Sequence, residues 1–271
     1  MLSIRQSNAA KANAKLEEVK AEPSETNSAW LTRIGAKDGV LLIGGASLTH
    51  FRIRVAQSHA RADLKPSSWS LAGILLNESN FLSVPLELSA DSAELAQDNG
   101  IQNCKMSDYD DPERFPNIAV LRFTRDTDKI LANVKLLGGD REAKKPAQRN
   151  IIDLPTLMIP WLSFIWICGR ASNPLTDGLG LPSAAFVETV YGIAGIELTP
   201  GLSSATSCPE AIWQAAKYWQ QFYKEAAKTD NSRNAAQIET SDLRNALDSA
   251  LAGKAIEKTE AKAFGCTIKR G

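Results

Sequence analysis

GLGLPSAAFVETVYGIAGIELTPGL, residues 178–202, decides how the rest of the chain is read. A Gly-Leu-Pro turn runs into an apolar stretch in which Phe186, Val187, Val190, Tyr191 and Ala194 recur at helical spacing. Gly195 ends that helix, and Thr199-Pro200-Gly201 turns the chain back. Ser183 stands at the opening of the helix. There the unpaired N–H groups and the positive end of the helix favour an anion and would depress a thiol's pKa. A serine at this place also reads as an N-cap, and that is its simplest role.

Outward from this helix, short apolar runs supply a sheet. VLLI at 40–43 ends in Gly44-Gly45, WSLAGILL at 69–76 is a continuous run suited to a strand covered on both faces, and NIAVLRF at 117–123 is another. FLSVPLEL at 81–88 forms a further strand, with Pro85 pointing to an edge or a strand end. Residues 47–60 form a helix flanking the sheet. Pro209 opens a last long helix, 209–223, with Ile212, Trp213, Ala216, Trp219 and Tyr223 spaced to face a core. The expected fold is therefore α+β: a mainly antiparallel sheet, the 184–194 helix packed centrally on it and the 209–223 helix alongside. Residues 1–28 are polar with little periodicity and read as a mobile N-terminal arm, and 228–241 has linker composition.

The chain is 271 residues long, enough for one sizeable core. Its 31 basic and 31 acidic residues cancel, so no long-range field steers it to nucleic acid or an anionic membrane. The basic loop REAKKPAQR at 141–149 reads as a solvated connector. Residues 154–168, LPTLMIPWLSFIWIC, are shorter than the roughly 20 apolar residues a bilayer span needs, and read as buried core, with a membrane-facing segment as the alternative. The first 30 residues hold no apolar signal core, which gives a cytoplasmic expectation. Cysteines 104, 168, 208 and 266 form neither a CxxC pair nor a metal-ligand spacing, and no cofactor motif is present. Asp108, Asp110 and Asp111 in SDYDDPE read as an exposed acidic turn. Most of the six tryptophans read as core, and a pocket lined by them would take an apolar or acyl group.

The order of these segments resembles the circularly permuted papain-like amidases and peptidases of the NlpC superfamily, over roughly residues 36–225. DGVLLIGGAS at 38–47 is similar to the family's opening strand and turn, SLAGIL at 70–75 to its Ser-His-Val-Gly-Ile strand, and SAAFV at 183–187 to its Cys-Ser-x-Leu/Phe-Val helix. GIELTPGL at 195–202 is similar to the turn that follows. The resemblance implies a papain-like domain over 29–227 and places Leu71 where the catalytic histidine belongs, Ser83 near the residue that orients it, and Ser183 in place of the nucleophilic cysteine. All three depart from the family pattern. The expectation is a catalytically inactive domain, a pseudoenzyme that binds a protein partner or builds an assembly.

Two alternatives stand beside it. A cysteine hydrolase would have to use a relocated pair, Cys208 before a helix and His59 upstream of the 69–76 strand. The last 40 residues also resemble the tail of the alkyl hydroperoxide reductase/thiol-specific antioxidant family, through DNSR at 230–233, SDLRNALDSALAGK at 241–254 and AFGCTIKR at 263–270. That resemblance implies a redoxin-like tail over 228–271 and a thiol role for Cys266, which has no resolving partner in the sequence.

Overall fold

The computed structural model describes residues 3–4, 25–87, 100–122, 130, 132–133, 152–166 and 171–218. They lie in one of two units, Met1–Gln6 with Ala14–Gln220. The basic loop at 141–149, Cys168, the linker and tail from 228 on, and Cys266 lie outside the described residues.

The sheet is built from β1 (Ser3–Ile4), β2 (Gly39–Gly44), β3 (Leu71–Asn77), β4 (Asn80–Ser83), β5 (Gln102–Lys105) and β6 (Asn117–Leu121), in the order β1-β6-β2-β3-β4-β5. β2 through β6 pair antiparallel throughout, and only the two-residue β1 runs parallel, beside β6. The mixed α+β architecture with an antiparallel sheet is thus as expected. Ser3–Ile4 of the expected arm takes a place at the sheet edge, and the first helix, α1 (Asn27–Arg33), begins just inside the arm's expected end.

β2 is buried along its whole length, which is why its sequence is an unbroken apolar run. Alternation still divides the sheet into two cores. Val40, Leu42, Ala72, Ile74 and Leu121 face the larger helical layer. Leu41, Ile43, Leu71, Leu75 and Val120 face α1 and the segment carrying Met106 and Phe115. β4 is shorter than the 81–88 run suggests. Pro85 has no N–H to give a ladder, and the strand stops at Ser83.

The helical layer comprises α2 (Leu48–Ala56), α3 (Leu154–Trp166), α4 (Pro182–Ile193) and α5, described over 209–218. Pro182 to Tyr191 of α4 are all buried, and α4 rests on β3 as the central helix. The N-cap of α4 is Leu181, with Pro182 at the first helical turn, so Ser183 lies inside the helix and is not its cap. α3 bears out the buried-core reading on one face only of its described residues, 154–166. Leu154, Leu157, Trp161 and Ile165 face the core at three- and four-residue steps, while Ile159 is 65% and Trp166 is 68% exposed. Trp161 donates its indole N–H to the Gly180 carbonyl at 2.8 Å, tying α3 to the turn that starts α4. Among the described residues no helix is long and apolar enough to cross a membrane.

α5 packs Trp213 edge-on against Trp69, with ring centroids 4.9 Å apart. Its Glu210 is fully buried and accepts from Ser67 Oγ at 2.6 Å, while Arg61 lies 3.5 Å away. A carboxylate this deep is tolerated because hydrogen bonds and a cation replace its water.

Candidate functional site

Of the three positions that the papain-like resemblance singles out, Ser83 and Ser183 meet at Ala72 of β3, whereas Leu71, one residue before it, faces the other core. Leu71 is buried in the smaller core. The next residue, Ala72, receives both serines: its N–H donates to Ser183 Oγ at 3.3 Å, and its carbonyl accepts from Ser83 Oγ at 2.6 Å. Ser83 and Ser183 are both fully buried. The two hydroxyls therefore satisfy backbone groups of the central sheet, where an unpaired N–H or C=O would cost about 1–3 kcal/mol. Leucine at 71 provides neither a proton acceptor nor an orienting group.

Cys208 and His59 line a shared cavity of about 570 Å³ with Leu175, Leu202, Ala211 and Tyr218. Among the described residues they form no hydrogen bond with each other. Burial pushes the Cys208 thiol up to about 11, although the amides of Ala211 and Glu210 pull the other way. This is a neutral thiol at physiological pH, the reverse of an activated nucleophile. Cys104 is likewise pushed up to about 12, first by burial.

The acidic turn is structural. Asp110 accepts from the Ser28 amide at 2.6 Å, and Asp111 accepts from the Glu113 amide at 2.8 Å. Asn27 completes the joint by donating to the Tyr109 and Phe115 carbonyls. No cluster that could hold a metal ion occurs among the described residues.

A second cavity, of about 460 Å³, holds the polar arrangement that sequence reading missed. Ser47 caps α2, its Oγ accepting from the His50 amide at 3.3 Å, and so delivers His50 in the first turn. The imidazole lies over Gly45, where a Cβ would come within 2.4 Å of Cδ2, and meets Phe115 edge-on at 5.4 Å. Only glycine leaves room for the ring there. His50 Nδ1 lies 2.8 Å from Ser70 Oγ, and its Nε2 lies 3.2 Å from Glu87 Oε2. The other Glu87 oxygen accepts from Ser47 Oγ at 3.1 Å. The Gly45 amide donates to Ser70 Oγ at 3.2 Å.

The hydrogen bond from His50, the largest influence, helps to hold the Glu87 carboxyl down to about 2, while partial burial opposes it. Glu87 is therefore an acceptor at any ordinary pH, and in the tautomer that gives it an Nε2 proton, Nδ1 is the atom that accepts from the Ser70 hydroxyl. The relay runs Gly45 N–H to Ser70, Ser70 to His50, His50 to Glu87, with Ser47 bracing the far end. Leu71 and Ser183 line the same cavity, so the position implied for a papain-like nucleophile and this relay share one space.

Compared with family models, curated proteins and solved structures, the chain matches none.

Proposed function

We propose that this chain is a degenerate papain-like domain whose Leu71, Ser83 and Ser183 carry no hydrolytic chemistry, and that it works by binding, as a component of a larger assembly. The observation behind this is the double engagement of Ala72: Ser183 accepts from its N–H and Ser83 donates to its carbonyl. A serine hydroxyl without a base is a poor nucleophile, and loss of one member of a catalytic set costs on the order of 10⁴–10⁶-fold in turnover. The raised thiol pKa of Cys208 argues against the relocated Cys208–His59 pair as well. The cavity beside Cys208, walled by Leu175, Pro200, Leu202 and Ala215, is the place for an apolar or acyl ligand.

The test is turnover on a panel of peptide, amide and acyl-ester substrates, comparing the wild type with a Ser183→Ala variant shown to be folded by circular dichroism. The two proteins are expected to give indistinguishable rates on every substrate. A rate well above background that disappears with Ser183 would overturn the reading.

A further inference from the structure

We propose that Ser70, His50 and Glu87 form a separate acyl-transfer site, with Ser70 as nucleophile, His50 as base and Glu87 as its positioning carboxylate, acting on esters of small neutral carboxylic acids. This goes beyond the degenerate papain-like reading, which concerns Ser183. It rests on a different serine, Ser70, on the wall of the cavity that Ser183 also lines.

Three observations carry it. The first is the directed hydrogen-bond chain. A nucleophile at 2.8 Å from one ring nitrogen and a carboxylate at 3.2 Å from the other is the arrangement that lets imidazole take a hydroxyl proton and hold it. The Ile43 carbonyl competes for the Ser70 proton, but at 3.3 Å it is the longer partner. Second, the Gly45 amide donates to Ser70 Oγ, which lowers the cost of negative charge on that oxygen. Third, Ser70 opens onto a cavity large enough for a small ester. Leu71, Val84, Leu86 and Leu181 offer an apolar wall for the acyl chain, and His50 and Glu87 stand on the polar side. The cavity sets the substrate class: about 460 Å³ leaves no place for an extended chain, and the carboxylates of Glu87, Asp108 and Asp111 outnumber the guanidinium of Arg114 on its lining, which disfavours an anionic acyl group.

The chemistry balances with water as the only co-reactant. The Ser70 proton moves to His50 Nδ1 as Oγ bonds to the ester carbonyl carbon. The tetrahedral adduct collapses, the bond from that carbon to the alcohol oxygen breaks, and the alcohol leaves with the proton from His50. Water then attacks the acyl-serine, gives a proton to His50 and releases the acid. The same proton returns to Ser70. Glu87 stabilises the transient imidazolium in both halves.

The full chain would be treated with an alkyl fluorophosphonate, which captures an activated serine by forming an O–P bond and expelling fluoride. One adduct is expected, mapped by peptide mass spectrometry to Ser70 in the wild-type protein, so the result does not depend on any variant folding. His50→Gln should slow labelling by on the order of 10²–10⁴-fold. Glu87→Gln keeps an acceptor but no charge, and should slow labelling while shifting its pH profile, which a merely structural contact would not do. p-Nitrophenyl acetate hydrolysis should follow the same order, with Ser70→Ala at background. Absence of a Ser70 adduct in the wild type, or labelling insensitive to His50→Gln, would overturn the proposal. An adduct on Ser183 would overturn the proposed silence of the papain-like positions as well.

Discussion

Gly44→Ala is expected to cost at least about 3 kcal/mol of stability, near the top of what a single methyl can do. The reason is contact with main chain. A Cβ on Gly44 would lie 1.7 Å from the Ser68 carbonyl oxygen and 2.9 Å from its carbon. Neither atom can rotate away, because the 67–70 segment is tied down on both sides. The Ser70 amide donates to Ile43 at 2.8 Å, and Arg54 Nε donates to the Ser67 carbonyl at 2.6 Å. Relief would require β2 to part from the segment that leads into β3. In urea titration, with a slope of about 1–3 kcal/mol/M, the midpoint should fall by about 1 M or more. An unchanged midpoint would mean that β2 and the 67–70 segment are not packed in this way.

Glu188→Ala is expected to be comparably costly, about 2–5 kcal/mol, since each orphaned buried donor costs about 1–3 kcal/mol. Glu188 is only 5% exposed on α4. One of its oxygens accepts from Thr199 Oγ1 at 2.5 Å and from Ser207 Oγ at 3.1 Å. It is thus the post to which the chain following α4 is tied. Burial raises the Glu188 pKa above its ordinary 4.5, against the hydrogen bonds that lower it. The folded chain then holds this proton more tightly than the unfolded chain. The associated stability is full below the ordinary value and is lost as pH rises through the raised one. Urea midpoints measured across that range should show this decline in the wild type and lose it in Glu188→Gln. A decline of equal size in both proteins would assign it to another group.

How much of this was legible in the sequence depended on whether the signal was local. The strands at 40–43 and 71–77 could be read because both faces are covered, so every side chain is apolar until the last residue of β3. β5, Gln-Asn-Cys-Lys, could not, because at the sheet edge only Cys104 is buried and no apolar run marks it. α3 failed in the opposite way. Its residues are so uniformly apolar that no periodicity betrays the exposed face bearing Ile159 and Trp166. The local rule that makes serine an N-cap misplaced Ser183, since Pro182 claims the first helical turn and moves the cap to Leu181.

The site was less legible than the fold. Ser70 lies 20 residues from His50, and Glu87 lies 40 from Ser47, distances at which no spacing rule operates. What joins them is the antiparallel β2–β3 pairing, which sets Ile43 against Leu71 and so carries Ser70 to the end of β2, where the Gly44-Gly45 turn leads into α2. The cap at Ser47 and the glycine beneath the His50 ring are the only local traces, and each is commonplace alone.

The proposed chemical silence of the papain-like positions is tested most directly by restoring the missing atom. In a Ser183→Cys variant the introduced thiol would sit in the same buried place, against the Ala72 amide. Timed iodoacetamide labelling at neutral pH, resolved by peptide, would compare this thiol with the buried Cys104 and Cys208 in the same molecule. The introduced thiol is expected to react no faster than those two. Its rapid alkylation ahead of both would show an activated nucleophile position and contradict that silence.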